Sequence, residues 1–310
     1  MLFDKNELLR SYRDRIEYLF SEFDNIMIAL SGSIESTLLL DLTYRIWKEK
    51  FRYREVCVFN IDTEISHSYS VDHIMREFER VKDDFTPYWI MLPTKIKHDL
   101  FEKEENLLAW DDSLERVLRP YPDLPYVITL ENNPIPSYRH GMPARMLASN
   151  FLRWYKHERG GRTVYITGAR LGEKHNKDKL LNAKKRYRNS DWIAMDIPDI
   201  WRAAPLFDFT LHDVWKSIKM LGVEYNEIYD NLFKRGDSLH GFRITPQLSK
   251  TNSKELRRFA EIDCKIWDEL TKRIPGIELY SIYGDAYMLF TRENENLREE
   301  QQNEKPCLQC

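Results

Sequence analysis

Ser31, Gly32, Ser33, Ser36 and Thr37 crowd four hydroxyls and a glycine into one short stretch. Before them runs an apolar strand-length segment, Asn25-Ile26-Met27-Ile28-Ala29-Leu30, and after them an apolar helical pattern continues to about Lys50. Strand, tight small-residue loop and helix together aim backbone N–H groups and a helix N-terminus at one point, and that point suits an anion such as phosphate. The hydroxyls add donors around the same anion. The alternative is an ordinary strand-to-helix turn with a serine N-cap. Glu35 adds a carboxylate inside the stretch, and no G-x-x-x-x-G-K-[ST] occurs, so the loop is not of the Walker kind.

Other residues with chemistry cluster where further strands should end. Asp62-Thr63-Glu64 closes the buried-type run Arg54–Ile61. It can receive hydroxyl or amine groups of a ligand, or cap a helix. Gly168, Arg170 and Glu173 follow the run Thr163–Thr167. Behind them come Lys174, His175, Lys177, Lys179, Lys184, Lys185, Arg186 and Arg188, read either as a solvated face or as a clamp on a polyanion. Cys307 and Cys310 form a CxxC, which can be redox-active but supplies only two of the ligands a structural zinc needs. Cys57 and Cys264 read as core residues, and no histidine spacing suits a metal, so none is expected to be held by a side-chain cluster.

The elements that must position these residues are legible as alternating strands and helices. An amphipathic helix is predicted over about 5–23, with Leu8, Leu9, Tyr12, Ile16, Leu19 and Phe20 on one side. Helices are also predicted near 66–82, 144–158 and 211–221, with Thr210 as N-cap and Asp213 completing a capping box, and one long helix over 253–273. Strands are predicted near Asn25–Leu30, Arg54–Ile61, Thr86–Leu92, Thr163–Thr167 and Asp191–Ile197. Strands joined by helices build a parallel sheet, so the expected fold is α/β: doubly wound, mostly parallel, about five strands. Ligands bind outside the carboxyl ends of such strands, and Ser31, Asp62 and Gly168 all fall there. The division expected is an N-terminal helix (1–24) and an α/β domain (25–223) carrying an irregular insertion over the ligand edge (93–143). A helical C-terminal part (224–291) and a flexible polar tail (292–310) follow.

Composition sets outer bounds. The chain has 310 residues and 42% hydrophobic residues, enough for a sizeable core. A net charge of −3 gives no global attraction to nucleic acid, so any basic site is local. Four cysteines make no disulfide framework. No apolar run approaches a membrane span, and Met1-Leu2-Phe3-Asp4-Lys5 lacks a leader layout, so a cytoplasmic location is expected.

Ser31-Gly32-x-x-x-Ser36 after a hydrophobic strand resembles the PP-loop of the adenine nucleotide alpha hydrolases, whose usual loop reads Ser-Gly-Gly-Lys-Asp-Ser. Ser33, Ile34 and Glu35 stand where Gly, Lys and Asp are usual. Further blocks, in order, resemble the phosphoadenosine phosphosulfate (PAPS) reductase-like proteins: Asp62-Thr63-Glu64, Gly168 to Glu173, Ala204 to Thr210 with Asp213-Val214-Trp215, and Tyr225 to Asp230. Tyr88 to Pro93, Gly241 to Ile244 and Trp267 to Gly276 are similar to the subgroup that includes regulators of bacterial immunoglobulin-binding surface proteins. The reductases' Glu-Cys-Gly-[Ile/Leu]-His motif is absent.

The resemblance implies an adenine nucleotide, ATP or PAPS, with Mg²⁺ bridging its phosphates, and cleavage at the α-phosphate or sulfur transfer where the protein is active. It implies phosphate binding at Ser31, Gly32, Ser33, Glu35, Ser36 and Thr37, with Asp62, Thr63, Gly168, Arg170, Glu173 and Lys177 around the nucleotide. Arg170 and Lys177 would supply the charge that Ile34 lacks. The alternative it leaves open is a catalytically degenerate nucleotide-binding regulator acting with a ParB-like protein or DNA partner.

Overall fold

The apolar run that precedes the serine loop is the central strand of a sheet. In the computed structural model, which describes residues 7–101, 103–111, 117–172, 185–237, 248 and 253–284, Asn25–Ala29 forms β1. It pairs in parallel with β2 (Val56–Ile61) on one side and β8 (Thr163–Ile166) on the other. Beyond β2 lie β3 (Thr86–Ile90) and the two-residue β6 (Val127–Ile128); beyond β8 lie β10 (Ile200–Ala203) and β9 (Ile193–Ile197). The order is β6-β3-β2-β1-β8-β10-β9, with only the β10–β9 pair antiparallel. Seven strands stand where about five were expected. The additions are β6 and β10, each four residues or shorter and so carrying little periodic signal.

Helices cover both faces, because strands buried on both sides read as continuous apolar runs. On one face lie α1 (Glu7–Glu22), α2 (Ile34–Ile46), α3 (Ser68–Val81) and α5 (Leu211–Leu221), over Ile26, Ile28, Val56, Val58, Val164 and Ile166. On the other lies α4 (Ala144–Arg159), whose Leu147, Phe151 and Tyr155 pack on Met27, Cys57, Phe59 and Tyr165. α2 is buried over nearly its whole length, its polar Glu35, Ser36, Thr37, Asp41 and Thr43 included. It continues as a π-helical turn, Trp47–Phe51. The Thr210–Asp213 capping box at the start of α5 is present as predicted.

Two regions differ from expectation. The 93–143 segment is not irregular throughout: β4 (Thr94–Phe101) and β5 (Lys103–Ala109) form an antiparallel hairpin, and β7 (Met142–Pro143) adds to β4. Its Lys- and Glu-rich strands hide their alternation, in which exposed Lys95 and Lys97 flank half-buried Ile96. The 253–273 helix is broken. Asp263 ends α7 (Ser253–Ile262) and caps α8 (Cys264–Arg273), and its other carboxylate oxygen accepts the Ser68 N–H at 2.5 Å. The break re-phases the second half, so Cys264 is exposed rather than in the core; Cys57 is buried as expected. α7, α8 and residues 277–284 pack through Leu256, Phe259, Trp267, Leu270 and Ile277 against Leu100, Leu107 and Leu118 of the insertion.

Candidate functional site

Because β1, β2 and β8 are adjacent and parallel, Ser31, Asp62 and Gly168 follow the carboxyl ends of neighbouring strands. The loop begins where Leu30 N–H still bonds to Phe59 O at 2.9 Å. Gly32 then turns with φ +81°, a region that side chains disfavour, and a Cβ there would stand 3.1 Å from Ile74. Ser33 caps α2, its hydroxyl accepting Ser36 N–H at 3.3 Å. The Ser31 hydroxyl lies 3.1 Å from that of Ser36 and 3.3 Å from that of Ser33. Ser31 is exposed and Ser33 half-buried, so these hydroxyls stand at the open side of the loop.

The backbone donors divide into spent and open groups. Thr37 N–H bonds to Ser33 O at 2.9 Å, and Ile34 N–H donates to the Tyr229 hydroxyl at 3.2 Å. Among the described residues, the Gly32 and Glu35 amides have no acceptor. An exposed hydroxyl set beside two open amides at the positive end of a helix is what an anion needs.

Other elements hold the loop from behind. Asn226 Nδ2 donates to Gly32 O at 3.1 Å and to the Ser70 hydroxyl at 2.9 Å, joining the start of α6 (Ile228–Lys234) to α3. Thr37 Oγ1 lies 2.7 Å from His73 Nε2. Burial first, and Arg76 and Arg80 second, push His73 down to about 4, so it is neutral at pH 7. Asn226, Tyr229, Ser70 and His73 were not among the sequence candidates. Asn226 and Tyr229 do fall in the Tyr225–Asp230 block; Ser70 and His73 carry no signal beyond lying on a predicted amphipathic helix.

Gly168 faces the loop at very close range: a Cβ there would lie 2.7 Å from Glu35 Cβ and 3.0 Å from Ser36 N. Two residues on, Arg170 donates from Nε and Nη2 to Glu35 Oε1 at 3.1 and 2.8 Å. The guanidinium expected to face the ligand's phosphates is therefore engaged by the loop's own carboxylate. Ile34, in the position of the usual lysine, is 1% exposed and part of the core.

Asp62 is turned inward. Its Oδ2 accepts from Trp89 Nε1 at 2.9 Å and Arg119 Nη2 at 2.5 Å, and its Oδ1 from Glu64 N–H at 2.8 Å. Thr63 is half-buried beside it. Glu64, fully buried at φ +68°, accepts from Trp110 N–H, Leu118 N–H and Arg273 Nη1 at 2.8, 2.5 and 2.8 Å. Asp62 and Glu64 thus tie β2 to the insertion and to α8. Glu173, Lys177, Cys307, Cys310 and the basic run from Lys174 to Lys184 lie outside the described residues. Among the described residues, no three His, Cys, Asp or Glu side chains converge as a metal site, and no helix is long and apolar enough to cross a membrane.

The model of the phosphoadenosine phosphosulfate reductase domain family matches residues 25–238. A protein of Escherichia coli strain K12, described as uncharacterized protein YbdN, is 23% identical over 284 residues, 89% of this chain and 68% of that one. Among solved structures, the PAPS reductase of Candida auris in a phosphate complex covers 71% of this chain and 84% of its own, at 14% identity and a TM-score of 0.37. The NH3-dependent NAD synthetase of Campylobacter jejuni covers 90% and 95%, at 14% identity and a TM-score of 0.36.

Proposed function

The chain belongs to the phosphoadenosine phosphosulfate reductase domain family, and on that premise we propose that it binds an adenine nucleotide, ATP or PAPS, with the phosphates on Ser31–Thr37. The observation that carries this reading is the pair of open amides, Gly32 and Glu35, beside the Ser31 and Ser33 hydroxyls at the N-terminus of a buried helix. Gly168 supports it by letting α2 approach β8 closely enough to wall the loop. An active protein would cleave the nucleotide at its α-phosphate or transfer sulfur.

A second reading has its own observation. Ile34 is sealed in the core and Arg170 is paired with Glu35, so the loop offers mostly neutral donors to developing charge. That favours a nucleotide-binding regulator, working with a protein or DNA partner, over an efficient enzyme. Calorimetric titration of ATP tests the shared part: the parent should bind and Gly32→Val should not, because a branched side chain at φ +81° displaces the loop. Equal binding by both would remove the loop from consideration. Incubation with ATP and Mg²⁺ separates the readings, since AMP and pyrophosphate appear only if the protein is an enzyme of the cleaving kind.

A further inference from the structure

A second group of cations lies on the other face of the sheet, at the same edge as the serine loop. α4 ends at Arg159, just before β8 begins, so it runs against the strands and starts at their carboxyl ends. Its first turn carries Arg145 and no acidic residue. Lys95 stands opposite Pro143 where β4 pairs with β7, and Arg139 precedes the helix; both are exposed. In the sheet, Arg202 of β10 pairs with Tyr165 of β8, whose side chain belongs to the core that α4 covers. Thr167 follows Tyr165 on the same face by strand alternation, its N–H still bonded to Ala203 O at 3.0 Å.

This group lacks counter-charge. Arg15, Arg45, Arg80, Arg119 and Arg273 each reach a carboxylate. Among the described residues, exposed Arg145 and half-buried Arg202 reach none. Asp196 of neighbouring β9 is taken by the Tyr165 hydroxyl at 2.5 Å. Burial first, and Asp196 next, push that hydroxyl up, while Arg202 and Arg145 both act to bring it down, so the two guanidiniums lie around one side chain. Arg202 Nε and Thr167 Oγ1 are buried without a partner among the described residues. Buried polar groups left so cost stability and call for something to complete them. Two guanidiniums with open donors fit a doubly charged oxyanion. We propose that Arg145 and Arg202, with the Thr167 hydroxyl behind them, form a second anion site that holds the phosphate of a phosphomonoester other than the nucleotide. β10 lies two strand spacings from β1, about 10 Å, so this molecule stands beside the serine loop and not in it. The site does not depend on the loop holding a nucleotide.

Calorimetric titration of inorganic phosphate and of ribose 5-phosphate, at constant ionic strength, tests the site in the parent, Arg145→Gln, Arg202→Gln, Arg202→Lys and Lys219→Gln. Lys219, exposed on α5, controls for net charge. A second set carries Gly32→Val as well, which closes the serine loop to phosphate; should that variant not fold, saturating ATP occupies the loop instead. With the loop closed, affinity for both probes should fall roughly tenfold in Arg145→Gln and in Arg202→Gln, the scale of one charge-assisted hydrogen bond. Arg202→Lys keeps the charge without the fork and should lose less, and Lys219→Gln should lose nothing. ATP affinity in Arg202→Gln should stay within about threefold of the parent, because the cation is separated from the loop by solvent-screened distance. Without phosphate, Arg202→Gln should melt no earlier than the parent, since it removes an unpaired donor; a merely structural arginine would melt earlier and leave phosphate affinity unchanged. That result overturns the proposal, as does an equal loss in Lys219→Gln, no loss in Arg145→Gln and Arg202→Gln, or displacement of phosphate by equimolar acetate. If ATP fails to bind the parent while phosphate behaves as expected, only the nucleotide reading falls. If ATP binds the parent and not Gly32→Val while phosphate is indifferent to Arg145 and Arg202, only this inference falls.

Discussion

Gly168 is the residue at which the two halves of the candidate site touch. A methyl group there would overlap Glu35 Cβ at 2.7 Å and its carbonyl carbon at 2.9 Å, so Gly168→Ala must push β8 and α2 apart. Overpacking of this kind costs about 1–3 kcal/mol. Thermal unfolding should show that loss, and ATP titration should show weaker binding than the parent. His73, behind the loop, gives a pH signature. Burial lowers it from an ordinary 6.5 to about 4, and His67 is lowered to about 4 for the same first reason. The unfolded chain therefore binds more protons than the folded one between those values, and stability is full above pH 6.5 and lost as pH falls towards 4. Each histidine should account for about 3 kcal/mol of that loss. Denaturant midpoints measured from pH 7 to 4.5 should fall, and fall less in His73→Asn.

At the scale of elements, local signals translated well wherever a helix carried its own punctuation. Thr210 and Asp213 announce α5 in the sequence, and both capping bonds are made, the Asp213 N–H reaching the Thr210 hydroxyl at 3.1 Å. Thr210→Ala should cost about 1 kcal/mol, read as a shift in urea midpoint at unchanged slope. The serine loop, β1 and β2 were equally readable, because an apolar run ending in small or polar residues has few other outcomes in an α/β fold. The hairpin of β4 and β5 was not, since its alternation is written in lysines against Thr94 and Ile96. Nor was the break at Asp263, where apolar spacing continues through but a carboxylate serves two helices at once. The site divides in the same way. Ser31 to Thr37 and Gly168 sit where strand order puts them, whereas the engagement of Arg170 by Glu35 crosses 135 residues and leaves no local trace. The roles of Asn226 and Tyr229 as braces likewise depend on packing that no window of sequence contains.

Across the whole molecule, the sheet, the insertion and the C-terminal helices are joined at one buried carboxylate. Glu64 is fully buried and Arg273 has a side chain 5% exposed, and the pair links the end of β2 to α8 while Trp110 and Leu118 amides complete the contact. Removing one partner of a buried pair leaves the other charge stranded, a loss of about 3–5 kcal/mol. Glu64→Gln should therefore lower the unfolding midpoint far more than Thr210→Ala, and limited proteolysis should cut first within the C-terminal helices. The strand order has a consequence of another kind, in time. β1 is flanked by β8, whose Thr163 lies 138 residues after Asn25. During synthesis the central strand is made early, yet one of its edges waits for most of the α/β region to emerge, and pairings so distant in sequence form slowly. Until Thr163–Ile166 arrives, an apolar strand with unpaired amides is on offer to any neighbour. A nascent chain that stalls before that point is thus a template for aggregation, and the serine loop acquires its second wall only among the later steps of folding.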